Sequence, residues 1–210
     1  MNPIRIFLVE DDPDWIKAMT VFLNGQEDML VAGAAQTPEQ AAEMARVLSF
    51  DVVLMDIQLT PAQLDGIYAA ADILEIRPQA KVIMLTSMDD EQTITQAFTA
   101  GAAQYIEKTR FKELPAAIRG AVLHAGPMEA LLKEYSRLKR EEQLRGLTQA
   151  EREVFELMEE GYTHAQIEHK LFKSESTLKN QINKILKKLG VKSGKEAVEK
   201  VRRKGIVKDR

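Results

Sequence analysis

The chain has 210 residues, 45% of them hydrophobic and 29% charged, a composition ordinary for a soluble globular protein of one large domain or two small ones. With no Cys, disulfides, thiolate zinc sites and Cys nucleophiles are excluded. The net charge of −3 conceals an asymmetry: residues 1–124 hold 9 Lys and Arg against 18 Asp and Glu, residues 125–210 hold 20 against 14, and residues 171–210 hold 13 against 4. Such a split points to two modules with the basic one facing a polyanion; basic tails are also often only solvated, and charge alone leaves both readings open. The N-terminal apolar run is six residues long, contains Arg5 and meets acids at once, which fits neither a signal peptide nor a spanning helix. A cytoplasmic protein with no membrane partner is expected.

Residues 1–124 alternate strand-like and helix-like segments. Strands are expected near 4–9, 29–34, 51–55, 81–86 and 103–106, and helices near 13–24, 38–49, 64–76, 90–100 and 111–124. This alternation predicts a parallel sheet with helices on both faces. Asp12 before Pro13 reads as an N-cap followed by proline at the first helical position, and Gly101 reads as a helix stop. Gly126-Pro127 breaks the last of these helices. Beyond it, Met128, Leu131, Tyr135 and Leu138 form a narrow heptad stripe on a highly charged segment. A linker helix laid along one domain is the favoured reading, with a dimer seam as the alternative.

From residue 148 the pattern is purely helical. Thr148…Glu151, Thr163…Gln166 and Ser193…Glu196 fit capping boxes, Ser174 can cap a further start, and Gly161 and Gly190 fit helix stops. Four helices follow, near 149–160, 164–171, 175–189 and 194–203.

The chemistry lies at four strand ends. The apolar run Ile4–Val9 ends in Glu10-Asp11, Val52–Met55 in Asp56, Val82–Leu85 in Thr86, and Tyr105-Ile106 is followed one residue on by Lys108. In open α/β sheets, ligands bind outside the carboxyl ends of the strands. Glu10, Asp11 and Asp56 can offer hard oxygen ligands to Mg²⁺, which needs only one or two carboxylates beside water and phosphate. A carboxylate can also act as a nucleophile and become an acyl phosphate. Thr86 can hydrogen-bond a phosphoryl oxygen, and Lys108 can pair with it. Each residue alone has an ordinary explanation, such as a turn or a helix cap; the four together, in order, do not.

Over residues 3–124 these motifs resemble the receiver domain of bacterial two-component response regulators. The resemblance implies a flavodoxin-like (βα)5 fold with a five-stranded parallel sheet. It implies that Asp56 accepts phosphate from a sensor histidine kinase, that Glu10, Asp11, Asp56 and the Gln58 backbone carbonyl hold Mg²⁺, and that Thr86, Lys108 and the switch residue Tyr105 respond to the phosphate. Two departures stand out. The stretch from Asp56 to Gly66 is two residues longer than the family's, with Thr60-Pro61 following the aspartate. The family's Lys-Pro, the place of its cis peptide, is Lys108-Thr109 here.

Residues 147–205 resemble the LuxR-type helix-turn-helix of the NarL/FixJ regulators, through Leu147-Thr-Gln-Ala-Glu151, Gly161, Ile167, Ser176-Thr-Leu-Lys179-Asn and Ile185-Leu-Lys-Lys-Leu189-Gly. Helical spacing buries Leu178, Ile182, Ile185, Leu186 and Leu189 and turns Ser176, Lys179, Asn180, Asn183 and Lys187 outward. A helix of this kind fits the major groove, where Lys reaches guanine and Asn pairs with adenine. The expected DNA contacts are Ser176, Thr177, Lys179, Asn180, Asn183, Lys184 and Lys187. Lys184, Lys187 and Lys188 are expected to touch phosphates or solvent. Gln181 stands where the family often has His, with the loss of one phosphate contact.

The sequence therefore reads as a receiver (1–125), a helical linker (126–146) and a small all-α DNA-binding domain (147–210). The expected function is a phosphorylation-dependent transcriptional regulator with a sensor histidine kinase and double-stranded DNA as partners, dimeric when active. It is not an enzyme beyond taking phosphate from a donor and slowly losing it. The alternatives are a regulator that never needs phosphate and a phosphatase of the haloacid dehalogenase kind. Such phosphatases place a second Asp two residues after the first, where this chain has Gln58. His124, His164 and His169 have no site-like context.

Overall fold

The computed structural model describes residues 2–60, 64–87, 90–123 and 126–205. Pro61 in the lengthened loop, His124, and the last residues of the 147–210 module lie outside them. The chain divides into two compact units, with the boundary in sequence after Tyr135.

The first unit carries strands β1 (Ile4–Val9), β2 (Met29–Ala35), β3 (Val52–Asp56), β4 (Lys81–Thr86) and β5 (Gln104–Glu107), joined by helices α1 (Pro13–Asn24), α2 (Pro38–Val47), α3 (Asp65–Ile76) and α4 (Glu91–Ala100) and followed by α5 (Leu114–Leu123). The sheet order is β2-β1-β3-β4-β5, and each neighbouring pair is parallel. The strands read as continuous apolar runs because both faces are covered. Ile6, Leu8, Val52, Leu54, Ile83 and Leu85 pack on one face with Met19, Leu23, Leu114 and Ile118 of α1 and α5. The alternate residues Phe7, Val9, Val53, Met55, Val82 and Met84 are also buried, and by strand alternation they belong to the opposite face.

Local chemistry explains the element ends. The Asp12 side chain accepts the N–H groups of Asp14 and Trp15, and Pro13 occupies the first turn of α1. Gly101, at φ 111°, closes α4. One expectation shifts: residues 108–113 form a 3₁₀ segment, and the regular helix begins at Leu114. Pro115 explains this, because proline has no N–H to donate and fits only the first turn of an α-helix. No cis peptide bond occurs among the described residues, Lys108-Thr109 included.

Gly66 has a strict role. Its N–H donates to Ile57 O at 3.0 Å, and a Cβ there would lie 1.8 Å from the backbone oxygen of Asp56. Gly66→Ala is expected to cost about 3 kcal/mol of folding stability, the upper part of the range for overpacking, because rigid backbone must move. Denaturant titration of the two proteins checks this.

Helix α6 (Pro127–Leu144) spans the expected linker. In the first unit, Glu129 pairs with Lys81 at 3.3 Å, and the Tyr135 hydroxyl lies 3.0 Å from Thr99 Oγ1. Met128, Leu131 and Leu138 of the apolar stripe are exposed.

The second unit holds α7 (Gln149–Glu159), α8 (His164–Leu171), α9 (Glu175–Leu189) and α10 (Gly194–Arg202). Val154, Phe155, Ile167, Leu178, Ile182, Ile185, Leu189, Ala197 and Val201 form its core; Leu186 is half-buried and packs against it. The capping boxes at Thr148/Glu151 and Thr163/Gln166 are complete. At α10, Ser193 Oγ accepts the Glu196 N–H, while the Glu196 carboxylate accepts from Lys192 N at 3.0 Å. No helix among the described residues is long and apolar enough to cross a membrane.

Candidate functional site

The carboxyl ends of the central strands bring the acidic residues together. Asp56 closes β3 opposite Leu85 of β4, so Thr86 stands one residue further along the neighbouring strand, itself opposite Glu107 of β5. Carboxylate oxygens of Glu10, Asp11 and Asp56 lie within 4.8 Å of one another. Glu10, Asp56 and Thr86 are buried and Asp11 is exposed, so the cluster opens to solvent on one side. Lys108 Nζ donates to Glu10 Oε1 at 2.9 Å and to Asp56 Oδ2 at 3.0 Å, and lies 2.7 Å from Glu10 Oε2. Asp56 Oδ1 accepts from Gln58 N at 3.3 Å.

One ammonium bridges two buried carboxylates. Burial pushes the Glu10 carboxyl up to about 7 despite its bond to Lys108, with Asp56 adding repulsion. Burial also raises Asp56, against the pull of Lys108 and with a smaller push from Asp11. For Lys108 burial acts downward, but Glu10 and Asp56 outweigh it and hold the ammonium above its ordinary value. Two buried carboxylates that resist ionisation, beside a third at the surface, are a donor set that a hard divalent cation suits. Trp15 borders this group: its ring centroid is 5.4 Å from Lys108 Nζ, and it meets Phe111 edge-on. Asp12 is occupied as the cap of α1.

The basic surface is built on α9. Ser176, Thr177, Lys179, Asn180, Asn183, Lys184 and Lys187 are all exposed, opposite the buried residues Leu178, Ile182, Ile185 and Leu189. Ser174 Oγ caps the helix and lies 2.9 Å from Thr177 Oγ1 and 3.2 Å from Ser176 Oγ, so these hydroxyls form one cluster at the N-terminus. The turn before α9 puts Phe172 in the left-handed region at φ 51°, and the residue is 94% exposed.

Residues 6–119 match the response regulator receiver domain, and residues 145–201 match the bacterial regulatory proteins of the luxR family. The chain belongs to the LuxR-type response regulators. This regulator is 33% identical over 216 residues to the uncharacterized transcriptional regulatory protein YxjL of Bacillus subtilis (strain 168), covering 98% of each chain. It is 30% identical over 231 residues to the transcriptional regulatory protein DegU of Brevibacillus brevis, covering 100% of this chain and 97% of that one. Among solved structures, the response regulator domain of Thermotoga maritima CheB is similar at TM-score 0.54 and 29% identity, over 60% of this chain and 100% of that one. The regulator thus joins a receiver to a LuxR-type DNA-binding module, and its relatives are transcriptional regulators rather than conventional enzymes.

The structure gathers Glu10, Asp11, Asp56 and Lys108 at one edge, with Thr86 beside them by register and Tyr105 on β5. Gln58 enters through its N–H to Asp56. Two surface residues have partners within the chain. Lys188 is exposed, yet its Nζ pairs with Glu151, the acid of the α7 capping box, whose side chain is nearly buried. Gln181 accepts from Lys173 Nζ at 2.9 Å, which fixes a lysine at the entrance to α9. Neither pairing has a local signal, since the partners lie 37 and 8 residues apart. Trp15 was missed as a neighbour of the site, because on α1 it reads as an ordinary apolar-face residue.

Proposed function

We propose that the regulator is a phosphorylation-dependent, DNA-binding transcription factor whose phosphoacceptor is Asp56. The observation that carries this reading is the bridge from Lys108 Nζ to Glu10 and Asp56 at the carboxyl edge of the sheet. Glu10, Asp11, Asp56 and the Gln58 carbonyl would hold Mg²⁺. When bound, the ion offsets repulsion between the Asp56 carboxylate and the incoming phosphoryl oxygens.

Asp56 attacks the phosphorus of a phosphohistidine on a sensor kinase. The new bond joins an Asp56 carboxylate oxygen to phosphorus; the P–N bond breaks, and its electron pair and a proton restore the neutral imidazole. Lys108 shifts from the carboxylate to a phosphoryl oxygen, and the Thr86 hydroxyl donates to another. Thr86 and Tyr105 sit on β4 and β5, so their movement alters the surface formed by these strands and the helices after them. A pre-existing equilibrium then shifts towards the state that binds DNA, as a dimer on paired half-sites. Gln58 leaves no second Asp to drive rapid turnover, so the phosphate is stored, which disfavours a phosphatase. Incubation with a small phosphodonor and Mg²⁺, followed by intact-mass measurement, tests the proposal: a gain of one phosphoryl group supports it, and no gain at any donor concentration rejects it.

Trp15 is the chain's one tryptophan and faces Lys108. Mg²⁺ titration is therefore expected to change its fluorescence. At a hundred times the dissociation constant, Mg²⁺ should stabilise the fold by about 2.7 kcal/mol. Urea unfolding with and without the ion measures it.

A further inference from the structure

Asp65, the first residue of α3, is a buried carboxylate that the scheme above leaves unused. Its Oδ1 accepts the N–H of Leu59 at 2.9 Å and of Thr60 at 3.3 Å, and its Oδ2 accepts the Thr60 hydroxyl at 2.7 Å. The adjacent Gly66 donates its N–H to Ile57 O and packs directly on the Asp56 carbonyl. Asp65 and Gly66 therefore clamp the start of α3 against the chain leaving β3. Residues 61–63 fall between the two arms of the clamp in sequence.

The clamp acts on Gln58. The Leu59 N–H and the Gln58 C=O belong to one planar peptide unit, and in a trans peptide they point in opposite directions. Holding the Leu59 N–H on Asp65 fixes where the Gln58 carbonyl points, which is away from Asp65. On the other side of the same residue, the Gln58 N–H is held by Asp56 Oδ1 at 3.3 Å. Both peptide units flanking Gln58 are thus tied, one to the phosphoacceptor candidate and one to Asp65.

We propose that Asp65 is a positioning residue: through the Leu59 N–H it aims the Gln58 carbonyl at the cation beside Asp56. The proposal rests on the metal and phosphoryl reading above. Supporting groups of this kind are generally worth about 10- to 100-fold in metal affinity.

The test is Mg²⁺ titration of the full-length, unphosphorylated protein by Trp15 fluorescence, combined with hydrogen exchange at the Leu59 amide. Asp65→Ala is expected to speed Leu59 exchange and weaken Mg²⁺ binding about tenfold. Asp65→Asn keeps an oxygen for Leu59 and should restore affinity to within about threefold, a rescue that charge alone does not explain. If circular dichroism shows that Asp65→Ala does not fold, Thr60→Val is read instead, with about a threefold weakening expected from loss of one arm. Faster Leu59 exchange with unchanged Mg²⁺ affinity overturns the proposal, as does unchanged affinity in a folded Thr60→Val protein when that variant is the one read. A wild-type protein that binds no Mg²⁺ overturns the underlying site reading instead, so the two failures are distinguishable.

Discussion

Asp56→Asn is expected to reduce phosphoryl labelling by a small phosphodonor with Mg²⁺ by at least about a hundredfold, the order seen when a covalent nucleophile is removed. The amide oxygen that replaces the carboxylate is uncharged and a poor nucleophile. The loss should be chemical and not structural. Burial raises the Asp56 pKa, so the folded protein holds the ionised carboxylate at some cost, and an isosteric neutral amide removes that cost. Lys108 keeps Glu10 as a partner in the variant. Near-neutral unfolding midpoints should therefore be equal to or above those of the wild type. Intact-mass spectra and urea titrations of both proteins check the two halves of this prediction. Persistent labelling would place the phosphate on another residue.

The second large effect is on DNA. Affinity for a selected fragment should fall about a thousandfold between 50 and 200 mM salt, the fall expected when about six phosphates are neutralised. Lys184 and Lys187 lie on the exposed face of α9, and Lys173 is fixed at its entrance by Gln181. Lys184→Ala should weaken all sequences alike and flatten the salt slope by about one contact, whereas Lys179→Ala should relax base preference at one position at a cost of about 1–3 kcal/mol. Lys188→Ala should change stability more than the salt slope, because that side chain already holds Glu151. Salt-dependent fluorescence anisotropy with the three variants separates these outcomes.

The main features of both units were legible because their signals are local. A buried parallel strand needs an unbroken apolar run, so Val52–Met55 and Val82–Leu85 announced both the strands and the positions of Asp56 and Thr86. Thr148, Thr163 and Ser174 announced helix starts because a hydroxyl there satisfies orphan N–H groups within three residues. What stayed hidden depends on chain closure. Asp65 reads as a helix-start acid, and its grip on Leu59 and Thr60 exists only once the loop folds back. Lys188 reads as one of several surface lysines until α9 lies beside α7. The 3₁₀ segment before Leu114 follows from Pro115, whose restriction to a first helical turn is itself a sequence feature. Glu10 and Lys108 are 98 residues apart, yet their approach was legible, because parallel strands bring their carboxyl ends to one edge.

The central claim is that phosphate on Asp56 controls DNA binding. The most direct measurement is selection of genomic DNA fragments by the full-length protein with and without phosphodonor and Mg²⁺, followed by affinity measurement on the selected fragment for wild type and Asp56→Asn. The account predicts enrichment of a common sequence, tighter binding by the phosphorylated wild type, and no response to donor in Asp56→Asn. Equal wild-type affinity with and without phosphate on Asp56 would contradict it and leave a regulator that switches by other means.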